Sequence, residues 1–210
     1  MWTVINKAST QRPDSVSKYR DFKPYLREEA EMKCVYCATS EGYLGGSDSY
    51  HVEHFRPKSL AQFESLLKEY SNLFYTCAIC NRFKSNDWPS DPNDLTIACY
   101  IDPNLHNYNE FFTINDDFSI SGTNVASRYM VERVNLNRTQ LINVRREVTF
   151  RSKFPKVYNT FNKLLIELTT KSHPDGKELL IEALELIEVL MGKWNAEKRA
   201  SQYEPAEIKR

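Results

Sequence analysis

Cys34-Val-Tyr-Cys37 and Cys77-Ala-Ile-Cys80-Asn81-Arg-Phe-Lys84 enclose the stretch Tyr50-His51-Val52-Glu53-His54-Phe55-Arg56-Pro57-Lys58-Ser59 and, after it, Ser71-Asn72-Leu73. Two Cys-x-x-Cys pairs thus bracket a His/Glu/Asn cluster. A two-residue spacer lets both sulfurs of one turn reach a single ion at about 2.3 Å, so Cys34, Cys37, Cys77 and Cys80 together can close a tetrahedral zinc site. The 39 residues between Cys37 and Cys77 exceed the spacing of a simple zinc ribbon. Tertiary structure must therefore bring the pairs together, and the ion staples both ends of the intervening segment. Four thiolates leave no open position for water, which makes such a zinc structural. The competing readings are four unrelated buried cysteines or a redox pair, and neither pair follows the βαβ pattern the second would need.

Working outward, Tyr50–Phe55 is short, β-prone and followed by Pro57, which predicts a strand ending at His54 or Phe55. Leu60–Tyr70 reads as a connecting helix and Ser71-Asn72 as a turn. A second helix starts near Cys77 and stops before Pro89. Toward the N-terminus, residues 1–12 read as a strand or arm that docks through Trp2, Val4 and Ile5. Ser15–Met32 has a helical pattern split or kinked by Pro24. Glu41–Ser49 is a glycine-rich loop.

Beyond Pro89, residues 90–123 are punctuated by Asp91-Pro92 and Asp102-Pro103, with a short hairpin expected across Asn115-Asp116-Asp117. Residues 125–134 and 137–170 carry helix formers, with a break at Lys153-Phe154-Pro155. Ser172–Gly176 is a turn, and Lys177–Trp194 is apolar almost all round, the mark of a helix buried in its own protein or against a partner. The expected class is α+β, mostly α. The divisions expected are an arm and helix (1–33), a core with the zinc site (34–90), a loop-rich connector (91–124) and a C-terminal helical region (125–210).

The 210 residues are 41% apolar and 27% charged with a formal net charge of zero, so no global basic signature points to nucleic acid. Local charge is another matter. Arg128–Lys156 holds eight basic residues, Arg145 and Arg146 among them, against two acidic ones. That is the patch nucleic-acid binding would require, or else a solvated helix face. The opening residues lack the basic-then-apolar layout of a secretory leader, and no apolar run is long enough to span a membrane. Cysteines paired for metal in such a chain predict a reducing, cytoplasmic setting. Cys99 is the one left over and reads as a small buried hydrophobe. His106 and His173 fall in loop contexts and read as surface residues.

The chemistry lies between the cysteine pairs. Adjacent Glu53 and His54 would face opposite ways in an ordinary strand, so they serve one centre only if the strand ends there. Glu53 is a hard oxygen ligand suited to Mg²⁺. His54, neutral near pH 7, suits a general base. Asn81 follows Cys80 directly, so the zinc fixes the helix start that carries it, and Lys84 shares its face three residues on. His51 lies two residues before Glu53, on the same strand face, as a possible extra ligand. Arg56 and Lys84 are candidates for phosphate contacts, weighed against plain surface charge.

In this order the motifs resemble the HNH, or His-Me finger, endonucleases of the zinc-stapled type. That family's ββα-metal core carries an acid-His dipeptide on its first strand, a middle Asn in the loop and an Asn or His on the helix. Here these are Glu53-His54, Asn72 and Asn81, over about 50 residues. The resemblance implies metal-dependent hydrolysis of DNA phosphodiesters. In it His54 takes a proton from water, Glu53 and Asn81 hold one Mg²⁺ or Mn²⁺, and Asn72 orients the loop carrying His54. A glutamate where Asp or His is usual, and Asn81 in place of His, are departures, the second favouring an oxygen-loving ion. A looser resemblance, through His51–Ser59, Ile101-Asp102-Pro103 and Val134-Asn-Leu-Asn-Arg138, reaches the HNH nucleases of retron-linked and Septu-type antiphage systems, which work beside an ATPase partner. The alternatives are a zinc-stapled binding or adaptor module without catalysis, and an RNase on the same core.

Overall fold

A computed structural model describes residues 1–170 together with 181–183, 185 and 187. Its elements are α1 (Lys23–Glu29), β1 (Tyr50–His54), β2 (Leu73–Cys77), α2 (Ala78–Lys84), β3 (Phe112–Ile114), β4 (Ile120–Gly122), α3 (Val125–Arg133) and α4 (Thr139–Thr170). The class is α+β, with two small antiparallel sheets. The chain divides into two compact units, Met1–Val144 and Arg145–Arg210.

In the first unit β1 and β2 pair antiparallel, with Tyr50 opposite Cys77 at one end and His54 opposite Leu73 at the other. All five residues of β2 are buried, because α1 lies against this strand and α2 packs on both. A strand covered on both faces loses the apolar/polar alternation that announces a strand in sequence. That is why no strand is read from the residues between the Ser71-Asn72 turn and the helix expected near Cys77. Tyr50 and Tyr75 stack across the ladder with ring centroids 4.8 Å apart. Fully burying each such side chain contributes about 1.5–3 kcal/mol.

Several local expectations change. Residues 1–12 form no strand: Trp2 and Ile5 dock into the core while Val4 stays exposed. Trp2 also donates from Nε1 to the Tyr36 carbonyl at 2.9 Å. The Ser15–Met32 helix contracts to a 3-10 turn (Tyr19–Phe22) and α1, with Pro24 in the first turn. There its missing N–H costs nothing, so it begins the helix in place of kinking it. Leu60–Tyr70 supplies only a 3-10 segment, Ala61–Leu66.

The expected hairpin is present as β3–β4, and α3 lies against β4. A Cβ at Gly122 would stand 2.4 Å from the Arg128 backbone nitrogen, so only glycine lets strand and helix approach this closely. Asn124 caps α3, its side chain accepting from the Ser127 N–H at 2.8 Å. Cys99 is buried, and His106 is half-buried with its ring edge-on to Phe111.

Helix α4 runs through Lys153-Phe154-Pro155 unbroken. Proline's fixed φ suits a helix, and its costs are the lost backbone bond and the crowding of its ring against the preceding turn. Phe150 and Phe154 lie ring to ring on it, with Phe150 exposed. The turn at Ser172–Gly176, His173 within it and most of the helix expected over Lys177–Trp194 lie outside the described residues. Within that helix Ile181–Ala183, Glu185 and Ile187 are helical, and Ile181 is exposed. Among the described residues no helix is long and apolar enough to cross a membrane.

Candidate functional site

The two ends of the β1–β2 ladder carry different chemistry. At the Tyr50/Cys77 end, the sulfurs of Cys34, Cys37, Cys77 and Cys80 lie within 4.8 Å of one another, all buried. A tetrahedron with bonds of about 2.3 Å has edges of about 3.8 Å, so the four sulfurs are spaced to hold a metal ion such as zinc. The first pair sits on a tight turn in which Ala38 donates to the Cys34 carbonyl at 2.8 Å and Val35 donates to the Tyr75 carbonyl at 3.0 Å. That second bond joins the turn to β2. The second pair is part of the helix start: Cys77 is the N-cap of α2, its Sγ accepting from the Cys80 N–H at 3.4 Å. Arg138 adds a cation that sequence alone does not place here, with Nη2 3.4 Å from Cys80 Sγ and 3.9 Å from Cys77 Sγ.

At the other end β1 stops at His54, and the ladder is prolonged by the Phe55 N–H donating to the Asn72 carbonyl at 2.9 Å. The Asn72 side chain then grips the chain as it leaves the strand. Its Oδ1 accepts from the Arg56 N–H at 2.8 Å, and its Nδ2 donates to the Arg56 carbonyl at 3.1 Å and the Leu66 carbonyl at 3.4 Å. Held this way, His54 and Glu53 both line one cleft of about 970 Å³.

His54 is buried, with Nε2 3.0 Å from the Leu67 carbonyl. A carbonyl only accepts, so Nε2 carries the ring proton and Nδ1 is left with a free lone pair. Burial lowers the imidazole pKa below its ordinary value, helped by the charges of Lys58 and Lys84 and opposed by the Leu67 bond. The ring is therefore neutral at pH 7. Tyr19 stands edge-on to it, with centroids 4.6 Å apart.

Glu53 is 5% exposed and Lys84 0%. Lys84 Nζ stands 2.9 Å from Glu53 Oε1. Oε1 is buried, and this ion pair is the contact that compensates its charge. The same ammonium donates to the His54 carbonyl at 3.3 Å and lies 5.1 Å from the centre of the Tyr100 ring. Burial pushes the Glu53 carboxyl above its usual value, and Lys84 pulls it back. Asn81, on α2, reaches the cleft too, its Nδ2 3.4 Å from Nδ1 of the exposed His51.

Three expected phosphate contacts stand differently. Lys84 is fully buried and committed to Glu53, so it cannot reach a ligand at the surface. Arg56 lies outside the cleft lining, its Nη1 3.8 Å from Asp102 and its guanidinium over the Phe55 and Trp88 rings. Arg145 is buried, which takes it off the surface such a patch needs, while Arg146 is exposed.

The cations that do line the cleft are Arg20, Lys23, Lys58 and Arg82, against two carboxylates, Asp48 and Glu53. Lys58 donates to the Tyr19 hydroxyl at 2.9 Å, and Arg20 donates to the same oxygen at 3.3 Å. No local signal pointed to Tyr19, Arg20 and Lys23, which lie some 30 residues before Glu53 in the chain. Lys58, four residues after His54, and Arg82, directly after Asn81, stand in the motif itself. Comparison of the chain with protein families, curated proteins and solved structures found no match.

Proposed function

We propose that the chain is a metal-dependent HNH endonuclease hydrolysing DNA phosphodiesters. The observation that carries this is the convergence of Glu53, His54 and Asn81, from an antiparallel strand pair and the helix directly after it, on one cleft with a cationic rim. Strand, strand and helix follow in the order a ββα-metal core would need, which supports the reading, and the cysteine pairs lie before β1 and at the start of α2.

Each residue then has a task. His54 accepts a proton from water at Nδ1, because Nε2 is committed to Leu67. Asn72 positions His54 through the Arg56 backbone without touching substrate. The rim cations attract and seat the anionic backbone. Glu53 and Asn81 are the residues that would hold the Mg²⁺ or Mn²⁺. The Glu53 carboxylate, one oxygen of which already meets Lys84, and the amide oxygen of Asn81 are hard donors of the kind such an ion takes. When bound, the ion supplies charge stabilisation at the phosphate and the leaving oxygen.

A role as the effector subunit of an antiphage complex, beside an ATPase, rests on the looser resemblance through His51–Ser59 and Val134–Arg138. A second reading, a zinc-stapled binding module without catalysis, is favoured by one observation: Lys84 already neutralises Glu53 from inside. Plasmid nicking in Mg²⁺ or Mn²⁺, comparing the parent with His54→Ala at equal zinc content, separates the two. Nicking by the parent, lost by at least about a hundredfold in the variant, is the expected result. Equal cleavage by both removes His54 as the base. No cleavage of DNA or RNA by either supports the binding module.

A further inference from the structure

A hard divalent ion is normally retained by several charged oxygens, or by one or two carboxylates together with substrate phosphates. The cleft offers little of the first kind. Among the described residues the only group of three or more His, Cys, Asp or Glu close enough to share an ion is the four-cysteine cluster. Glu53, the carboxylate on the β1 face that meets Asn81, already has the Lys84 ammonium at 2.9 Å. The other carboxylate in the cleft, Asp48, lies in the field of Lys23, whose charged form it supports. The buried carboxylate of the cleft, Glu53, thus has an internal cation, while Asp48 is exposed, and Arg20, Lys58 and Arg82 add further positive charge around it.

We propose that the cleft takes up its divalent ion only together with a phosphate of the nucleic acid, and that Lys84 is the residue that imposes this order. This deepens the nuclease reading and rests on it. With Glu53 neutralised from within, the ion meets a ligand set of zero net charge inside a positive rim, so its affinity for the chain alone is weak. A phosphodiester entering the cleft brings the missing negative charge and a further oxygen ligand, and it offsets the rim cations at the same moment. Substrate and ion therefore each raise the affinity for the other, by the same factor. The arrangement keeps the site empty of metal until a substrate is present. Lys84 is a positioning residue in this scheme: it touches Glu53 and the His54 carbonyl and never the phosphate.

The test uses the full-length, zinc-loaded chain carrying His54→Ala, which keeps DNA intact. Binding of Mn²⁺ to the chain alone is followed by loss of the free-ion electron paramagnetic resonance signal, and binding of a short labelled duplex by anisotropy with and without Mn²⁺. Weak uptake by the chain alone, with a dissociation constant near or above about 1 mM, is expected, together with duplex binding tightened about tenfold or more by Mn²⁺. Adding Lys84→Met should let the folded chain take up Mn²⁺ without DNA about tenfold or more tightly, because a charge next to the ion's carboxylate is gone. Duplex affinity indifferent to Mn²⁺, alongside firm Mn²⁺ uptake by the chain alone, overturns the ordered uptake and leaves the nuclease reading standing. Unchanged Mn²⁺ uptake in folded Lys84→Met removes Lys84 from the account. If that variant does not fold, the two parent arms decide the ordering by themselves. Absence of both Mn²⁺ and duplex binding in every arm defeats the nuclease reading, and this inference with it.

Discussion

The two ends of the five-residue β1–β2 ladder are held together by opposite means. At the Tyr50/Cys77 end, four chemically identical side chains from two turns converge on one point. At the His54/Leu73 end, each group has a different partner: His54 a backbone carbonyl, Asn72 three backbone groups, Glu53 a buried lysine. The first end can be closed by a single ion. The second is closed by many modest contacts, each of which can be removed alone. One end can thus build rigidity while the other keeps a neutral imidazole and a carboxylate at a cleft.

Breaking the cysteine end should have the largest effect. Structural zinc contributes apparent free energies of about 10–16 kcal/mol in small domains, larger than the whole stability of most domains. Cys77→Ser removes a thiolate while leaving a hydroxyl that can still cap α2. It should lower bound zinc from about one ion per chain to near none, with loss of the cooperative melting transition. Stripping the metal with a chelator should do the same. A chain that melts normally without metal would mean the four sulfurs merely pack.

The buried ion pair comes next. Lys84→Met leaves the Glu53 carboxylate buried without its cation, which should cost about 3–5 kcal/mol. Combining it with Glu53→Gln removes the charge on both sides and should recover most of that loss, giving a coupling of a few kcal/mol in a double-mutant cycle. Additive losses would show that the 2.9 Å approach carries no energetic coupling. Zinc content should stay unchanged in all three variants, which sets this end apart from the cysteine end.

Asn72→Ala should follow, at about 2–4 kcal/mol for three lost bonds to backbone in a buried setting. Under the nuclease reading it should also cost about tenfold or more in turnover, with zinc retained. Full activity in a stable Asn72→Ala would show that the chain after β1 holds His54 without it.

The contrast also marks what the sequence could disclose. Metal ligation is a local chemical pattern, so the Cys-x-x-Cys pairs pointed to the cluster directly, and the Glu53-His54 dipeptide before Arg56-Pro57 placed the strand end. Strand β2 stayed hidden because burial on both faces erases its alternation. Lys84 looked like a surface charge because its partner lies 31 positions earlier, and a lysine's burial is decided by what folds over it. Tyr19, Arg20 and Lys23 reach the cleft from a segment with no motif of its own. Pro24 could equally break a helix or begin one, and the choice was made by where α1 packs on β2.

The smallest expected effect tests the His54 end through a half-buried lysine. Lys7 donates to the carbonyl of Leu73, the residue paired with His54, at 2.5 Å and to Glu29 at 2.7 Å, beneath the Tyr70 and Phe74 rings. Burial lowers its pKa from 10.5 to about 8, more than Glu29 restores. Between those values the unfolded chain binds the proton and the folded chain sheds it, so stability should rise with pH. Above pH about 10 the trend reverses, since the unfolded chain then loses tyrosine protons that buried Tyr70 and Tyr75 retain, their pKa values being raised by burial. From pH 8 to about 9.5 the gain should be about 1–2 kcal/mol, read as a rising urea midpoint. Lys7→Met should flatten that rise. A midpoint that Lys7→Met leaves unchanged over this interval, because the parent shows no rise to flatten, would mean that Glu29 and the Leu73 carbonyl outweigh burial, keeping Lys7 charged and making it a clamp on the strand end.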